Sequence, residues 1–245
     1  MKIAIISDIH VNPNESKGFE ILKQFCSNPI VRQSDIVVFL GDIFDLLVYE
    51  YHQYKDIYKT SFLEIDNLCR QVPKVLFIEG NHDFSFHEIL QKSVSSKNIF
   101  YSKNGCFLNS ADKKYFFYHG DTIEIKNFFY RIYRFVFRNR FVELIYKYLI
   151  PFENLYQFGN SLLLDSKKRH QRYSDPIVIN KIKQKFRLSA EKFYKKNKYD
   201  FLVCGHSHVK DSFQIGDGIY LNNGFAQVEE SFLYFNNGIA KFIDL

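Results

Sequence analysis

A chain of 245 residues, 46% hydrophobic and 24% charged, has the size and composition of one globular α/β domain, not of a disordered or low-complexity segment. No apolar run approaches the ~20 residues of a spanning helix, and a net charge of +6 points to a partner only where it is concentrated. Cys26, Cys69, Cys106 and Cys204 show no C-x-x-C spacing and read as reduced thiols of a cytosolic protein.

The first strand, Lys2–Ser7, is too short for the apolar core of a signal peptide and runs directly into Asp8-Ile9-His10. A helix follows over Ser16–Cys26. Asp35–Leu40 reads as the second strand and ends in Gly41-Asp42. A long helical pattern spans Tyr51 to Gln71. Lys74–Glu79 is the third strand and delivers Gly80-Asn81-His82-Asp83. Tyr115–Tyr118 leads into His119-Gly120-Asp121. These short apolar runs, bounded by Gly or Asp, suit buried strands.

Residues Thr122–Arg172 leave the strand–loop pattern. Two candidate helices separated near Pro151 read as a helical cap, 122–172, inserted into a single domain, 1–245. In the first, Phe128, Ile132, Phe135 and Val136 share one face, and Arg131, Arg134 and Arg138 share another. Beyond the cap, Asp175–Lys196 reads as a helix with Asp175 as N-cap and Pro176 in the first helical position. Phe201–Cys204 is a strand running into Gly205-His206-Ser207-His208. Gly218–Leu245 reads as strands, with turns at Asn222-Asn223-Gly224 and Asn236-Asn237-Gly238.

Five of the eight histidines thus stand just beyond strand ends, where α/β sheets collect their ligands in one crevice. Alone, each block is weak: a D-x-H is usually accidental, and Gly-Asp is a common turn. Together they supply enough donors for two metal ions side by side, which activate water for attack on phosphorus. An extended backbone would point Asp8 and His10 the same way, toward one ion. Asp42 can divide its two oxygens between both ions. Asn81 offers a neutral amide oxygen, and His119, His206 and His208 offer imidazoles. His82 follows Asn81 directly and is expected to face the substrate, protonating the leaving oxygen or stabilising phosphoryl charge. Asp83 is expected to orient His82, and Asp121 to orient His119 through a hydrogen bond. Mixed imidazole and carboxylate donors fit manganese, iron or zinc and do not choose among them.

The blocks D-x-H, G-D, G-N-H-[DE], H-G and G-H-x-H, in this order, resemble the calcineurin-like metallophosphoesterase superfamily. The resemblance implies two packed β-sheets flanked by helices, with a dinuclear site at the strand ends. It carries over to Asp8, His10, Asp42, Asn81, His82, His119, His206 and His208. Within the cap, the order of His119-Gly120-Asp121-Thr122, Tyr130-Arg131, Pro151 and Ser166-Lys167-Lys168-Arg169 resembles the UDP-2,3-diacylglucosamine diphosphatases of the lipid A pathway. That resemblance implies pyrophosphate hydrolysis on a nucleotide-linked glycolipid. Tyr130, Ser166 and Lys167 would be at the sugar or phosphates, with help from Arg169 and Arg172. Asn127 stands where such enzymes commonly have Asp, and His82 where one branch has Arg.

The expected setting is the cytoplasm, at the cytoplasmic face of the inner membrane, because a basic amphipathic helix can lie on a membrane surface. The alternatives are a single-strand nuclease, holding nucleic acid by charge and stacking, another phosphodiesterase or phosphatase, and a non-catalytic scaffold.

Overall fold

The computed structural model describes residues 1–110, 112–121, 135–170 and 175–245, without the side chains of 140 and 162–170. Its strands are β1 (Lys2–Ile6), β2 (Ile36–Leu40), β3 (Leu47–Val48), β4 (Lys74–Ile78), β5 (Asp83–Phe84), β6 (Ile99–Ser102), β7 (Cys106–Ser110), β8 (Lys113–Phe117), β9 (Phe201–Cys204), β10 (Asp211–Ile215), β11 (Gly218–Asn222), β12 (Ser231–Asn236) and β13 (Ile239–Asp244). One sheet runs β13-β12-β1-β2-β4-β6, a second β10-β11-β9-β8-β7, and β3 pairs with β5. The strands that lead into motif residues are parallel to one another within their sheets: β1, β2 and β4 in the first, β8 and β9 in the second.

Strand periodicity sorts the side chains into layers. Ile3, Ile5, Val38, Leu40, Leu76 and Ile78 meet Tyr115, Phe117, Phe201 and Val203 between the two sheets. The alternate residues Ala4, Ile6, Val37, Phe39, Val75 and Phe77 face the other way, onto the Ser16–Ser27 and Lys59–Cys69 helices. On the far side, Phe186, Ala190 and Tyr194 of the Pro176–Asn197 helix cover Phe116, Leu202 and Tyr220. The outcome is the α/β sandwich of two packed, helix-flanked sheets that the sequence implies. β1 and β2 are continuous apolar runs because both their faces are covered.

Asp175 caps its helix as expected, its carboxylate accepting from the Ile177 amide at 2.8 Å with Pro176 at the start. Two other expectations need correction. The Tyr51–Gln71 pattern is two helices, Tyr54–Ile57 and Lys59–Cys69. The break falls at Tyr58, whose buried ring packs on Phe44 and whose hydroxyl donates to the Leu46 carbonyl at 3.0 Å. Asn222-Asn223-Gly224 is no hairpin turn but leads into a helical turn, Ala226–Glu229. The Asn222 amide donates instead to the Gly205 carbonyl at 2.7 Å, tying β11 to the loop after β9.

Beyond Asp121, two described helices, Arg140–Leu149 and Phe152–His170, are separated by Ile150-Pro151. Asn139 caps the first by accepting from the Phe141 amide at 2.9 Å. The Tyr51 hydroxyl lies within donating reach of the Tyr146 and Ile150 carbonyls at its end, where a helix C-terminus leaves carbonyls short of partners. Phe152 and Leu155 are buried in the main core, and Gly159 lies against Leu46, where a Cβ would clash. Residues 128–134, including Arg131 and Arg134, lie outside the described residues.

Candidate metal centre

The seven residues read as ligands come together at the carboxyl ends of β1, β2, β4, β8 and β9. Single ligand atoms of Asp8, His10, Asp42 and His208 lie within 4.8 Å of one another, and so do those of Asp42, His119 and His206. Asn81 joins the second group through its Oδ1, 3.2 Å from His119 Nε2. Asp42 is common to both groups.

The backbone places them differently from the alternation expected for an extended D-x-H. Asp8 (φ 53), His10 (φ 51), Asp42 (φ 52), His206 (φ 64) and His208 (φ 56) are all left-handed, a conformation costing roughly 1–2 kcal/mol for a non-glycine residue. The strand ends at Ile6, and the following turns are held by backbone bonds from Asp8 to Gly41 (3.1 Å), His10 to Asp42 (3.0 Å) and Val11 to Ile43 (2.8 Å). Asp8 and His10 converge because neighbouring chain fixes these turns, with Ile9 driven into the core.

Hydrogen bonds assign the imidazole protons. His119 Nδ1 lies 2.9 Å from the Leu40 carbonyl, so that nitrogen carries the hydrogen. Its Nε2 lone pair then faces Asn81 Oδ1 and Asp42 Oδ2, each at 3.2 Å. His10 Nδ1 lies 3.3 Å from Asp45 Oδ1, leaving Nε2 toward His208 Nε2 at 3.3 Å and Asp42 Oδ2 at 3.8 Å. Asp42 Oδ1 accepts from the His82 amide at 2.8 Å, while Oδ2 is buried and has no hydrogen-bond donor among the described residues. Such convergence of lone pairs around a buried carboxylate oxygen is stable only around positive charge. Divalent cations fit this donor set. The glycines leave it room: a Cβ on Gly205 would collide with the Asp8 carboxylate, and one on Gly80 with that of Asp42.

Without metal, protons must supply the charge. Burial opposes ionisation of His119, but Asp42, Asp8 and Asp121 outweigh it and push its pKa up to about 10. Against the cost of burial, His119, His82 and His10 hold Asp42 well below the usual carboxylate range. Burial and the charge of His119 drive His206 down to about 4. Burial also lowers His82.

His82 stands beside the cluster, its ring edge-on to His10 with centroids 4.7 Å apart. Two orienting roles are corrected. Asp83 does not hold the His82 ring; its carboxylate accepts from the amides of Gly80 (2.9 Å), Asp42 (2.9 Å), Ile43 (2.6 Å) and Phe44 (3.2 Å), clamping the two loops together. The His82 ring is instead bonded through Nδ1 to the Asp45 carbonyl at 3.0 Å. Nor does Asp121 orient His119, whose Nδ1 is taken by Leu40; Asp121 pairs with Arg138 at 3.5 Å.

Sequence reasoning gave no role in the site to Asp45, Glu79 and Phe225, and counted Arg138 only among the basic residues of the cap. Asp45 was visible as the second acid of Gly41-Asp42-Ile43-Phe44-Asp45. Its carboxylate fixes His10 while its carbonyl fixes His82. Phe225 stacks on His208 at 5.0 Å and meets His10 edge-on at 5.8 Å, with no sequence signal to mark it. Asn127, Tyr130 and Arg172 lie outside the described residues; Ser166, Lys167 and Arg169 fall on the Phe152–His170 helix, but their side chains lie outside them too.

A family profile described as calcineurin-like phosphoesterase matches residues 1–210. A UDP-2,3-diacylglucosamine hydrolase of Haemophilus influenzae (strain PittGG) is 23% identical over 223 residues, 91% of this chain and 86% of that one. A protein of the same name from Vibrio vulnificus (strain CMCP6) is 29% identical over 152 residues, 60% of this chain and 58% of that one. Among solved structures, an archaeal phosphodiesterase aligns over the whole of both chains at 16% identity, with a TM-score of 0.48.

Proposed function

The chain belongs to the calcineurin-like phosphoesterase family, and we propose that this hydrolase cleaves the pyrophosphate of a nucleotide-linked glycolipid of the UDP-diacylglucosamine type. Asp8, His10 and His208 would hold one divalent cation, Asn81, His119 and His206 the other, and Asp42 both; manganese is the ion we favour, with iron and zinc fitting the same donors. When bound, such ions polarise phosphoryl oxygens and lower the pKa of water. The protein's own contribution is positional and protonic. Asp45 keeps His10 in the tautomer that presents Nε2 to the cluster. The Asp45 carbonyl holds His82 by Nδ1, leaving its Nε2 for the substrate. Burial lowers the His82 pKa, and a proton that it takes from solvent once an anionic substrate is bound would pass to the leaving oxygen.

One observation carries the lipid reading. On the Arg140–Leu149 helix, Phe141, Leu144, Ile145, Tyr148 and Leu149 are all exposed, between 45% and 78%. Their i, i+3, i+4, i+7, i+8 spacing makes one continuous apolar stripe. The helix docks by its other side, where Tyr146 stacks on Tyr49 at 4.7 Å. Tyr49 follows β3, the partner of the β5 strand that begins at Asp83, so the helix that carries the stripe is docked on chain that adjoins the His82 loop. Apolar surface of this extent beside a site for phosphate suits an amphiphile with acyl chains, and the names of the relatives agree. In this proposal, residues 122–172 form a cap over the site, and its polar end, with Asn127, Tyr130, Ser166, Lys167, Arg169 and Arg172, meets the diphosphate. The stripe rests on the cytoplasmic leaflet of the inner membrane. No helix among the described residues is long and apolar enough to cross it.

Parallel assays on a diacylated UDP-sugar, single-stranded DNA and a bis-aryl phosphate test the reading. The sugar nucleotide should be hydrolysed with kcat/KM at least ten times that for the aryl ester. Cleavage of DNA with no turnover of the diacylated nucleotide would make the protein a nuclease.

A further inference from the structure

Arg138 has the makings of a bridge between the inserted segment and the reactive loop. It precedes the Arg140–Leu149 helix, yet its side chain is only 13% exposed. One guanidinium nitrogen, Nη2, donates to the Gly80 carbonyl and lies 3.5 Å from Asp121 Oδ2. The other, Nη1, lies 3.4 Å from Glu79 Oε2, and the group sits over the Phe84 ring at 5.1 Å. Glu79 is itself fixed, its Oε1 accepting from the Tyr101 hydroxyl at 2.6 Å and the Ser85 amide at 2.9 Å. These contacts bracket Asn81-His82: Glu79 and Gly80 before it, Phe84 and Ser85 after it, and Asp121 beyond His119.

We propose that Arg138 is a positioning residue for phosphoester hydrolysis, holding the peptide plane between Gly80 and Asn81 so that the Asn81 amide faces the ligand cluster and the His82 ring faces the substrate. The Gly80 carbonyl and the Asn81 nitrogen belong to one rigid plane, so fixing the carbonyl fixes where Asn81 begins. The Gly80 amide is already held by Asp83 at 2.9 Å, and the His82 amide by Asp42 at 2.8 Å. Arg138 supplies the remaining anchor. A guanidinium suits the task because its fork reaches several acceptors at once, which an ammonium cannot. The inserted segment therefore takes part in building the catalytic loop as well as in covering it.

The inference rests on the hydrolase reading and not on the lipid substrate, so it is tested with manganese-loaded protein on a bis-aryl phosphate. If wild type turns over neither that ester nor the diacylated UDP-sugar, the hydrolase reading fails, and amide exchange in the metal-free protein still judges Arg138. In Arg138→Lys, which keeps the charge, and Arg138→Met, kcat should fall about 10-fold and about 100-fold, with KM within twofold of wild type. Exchange at the His82 amide should rise at least tenfold while β1 and β2 keep their protection. Should Arg138→Met fold poorly because Glu79 is left unpaired, Arg138→Met with Glu79→Gln removes that charge; its stability should recover and its kcat should not. Recovery of both, or unchanged kcat and His82 exchange in Arg138→Lys, would reduce Arg138 to a buried charge partner and overturn the proposal.

Discussion

The Nε2 atoms of His10 and His208 face each other at 3.3 Å. With Nδ1 of a neutral His10 donating to Asp45, its Nε2 lone pair points at His208, and either a proton or a metal cation can satisfy the pair. Removing divalent metal should destabilise the fold as well as stop turnover. With free metal at about 100 times its Kd, binding contributes about 2.7 kcal/mol, roughly 5–10 °C in Tm for a chain of this size. Melting in chelator and in manganese measures it, and equal Tm values would count against the site. Asp42→Ala, which removes the carboxylate common to both groups, should abolish turnover and lower bound metal.

Asp45 governs the same pair from behind. Replacing its carboxylate with an amide keeps the shape but removes the charge that faces His10 Nδ1. Partners of this kind are worth 10–100-fold in metal affinity. Asp45→Asn should weaken manganese binding by about that factor in calorimetry, with turnover largely restored at saturating metal. An unchanged Kd would remove Asp45 from the site's working parts.

His82 is held through Nδ1 by the Asp45 carbonyl, as His119 is by that of Leu40, but its ring stands beside the seven-residue ligand cluster. His82→Ala should retain both ions and lose about 10²–10⁴-fold in kcat, the range of an acid–base group. Metal analysis of the purified variant separates the roles: a missing ion would make His82 a ligand.

Far from the site, Asp66 ties the Lys59–Cys69 helix to Ser95, whose amide donates to it at 2.9 Å, and to Arg70 at 2.7 Å. Burial alone would raise the Asp66 pKa, but Arg70 and Ser95 outweigh it and hold it below the ordinary value of 3.8. A depressed carboxylate pKa contributes stability above the unfolded pKa, and that contribution disappears as pH falls through the folded one. Asp66→Asn should cost about 1–2 kcal/mol at pH 7, discounted toward the lower figure because Arg70 is largely exposed. In denaturant titrations the gap from wild type should close toward pH 3; a constant gap would mean that packing, not charge, is lost.

The sheet strands that carry the site were legible because burial on both faces leaves continuous apolar runs such as Ile36–Leu40. The ligand residues were legible because carboxylate, amide and imidazole follow those runs at fixed places. What the sequence hid depends on chain brought from elsewhere. The left-handed turns at Asp8 and His10 exist because Gly41–Ile43 pairs with them, and no local propensity announces that. The hydrogen-bonding assignments of Asp83 and Asp121 were misread because adjacency in sequence suggested partners that geometry gives to Asp45 and Leu40. Arg138 reads as one of three arginines on a helix face, but it turns inward to Glu79 and Gly80.

The apolar residues of the inserted segment divide in the same way, and the division sets the most exposed test of the substrate. Phe152 and Leu155 are core, so changing them would unfold the segment and say nothing about lipid. Phe141 is 78% exposed and Leu144 45%, and surface substitutions usually move stability by within about 0.5 kcal/mol. A charge at Phe141 therefore probes function without a large cost in folding. If acyl chains lie along the stripe, Phe141→Asp should lower kcat/KM on a long-chain diacyl UDP-sugar at least tenfold. It should leave hydrolysis of a bis-aryl phosphate within twofold, since the metal cluster is untouched and only remote binding energy is lost. Shortening the acyl chains should shrink the difference between variant and wild type, because a chain that never reaches Phe141 cannot feel it. Tm must stay near that of wild type for the comparison to hold. Equal losses on both substrates in a folded variant would mean that the stripe supports the site and does not bind lipid.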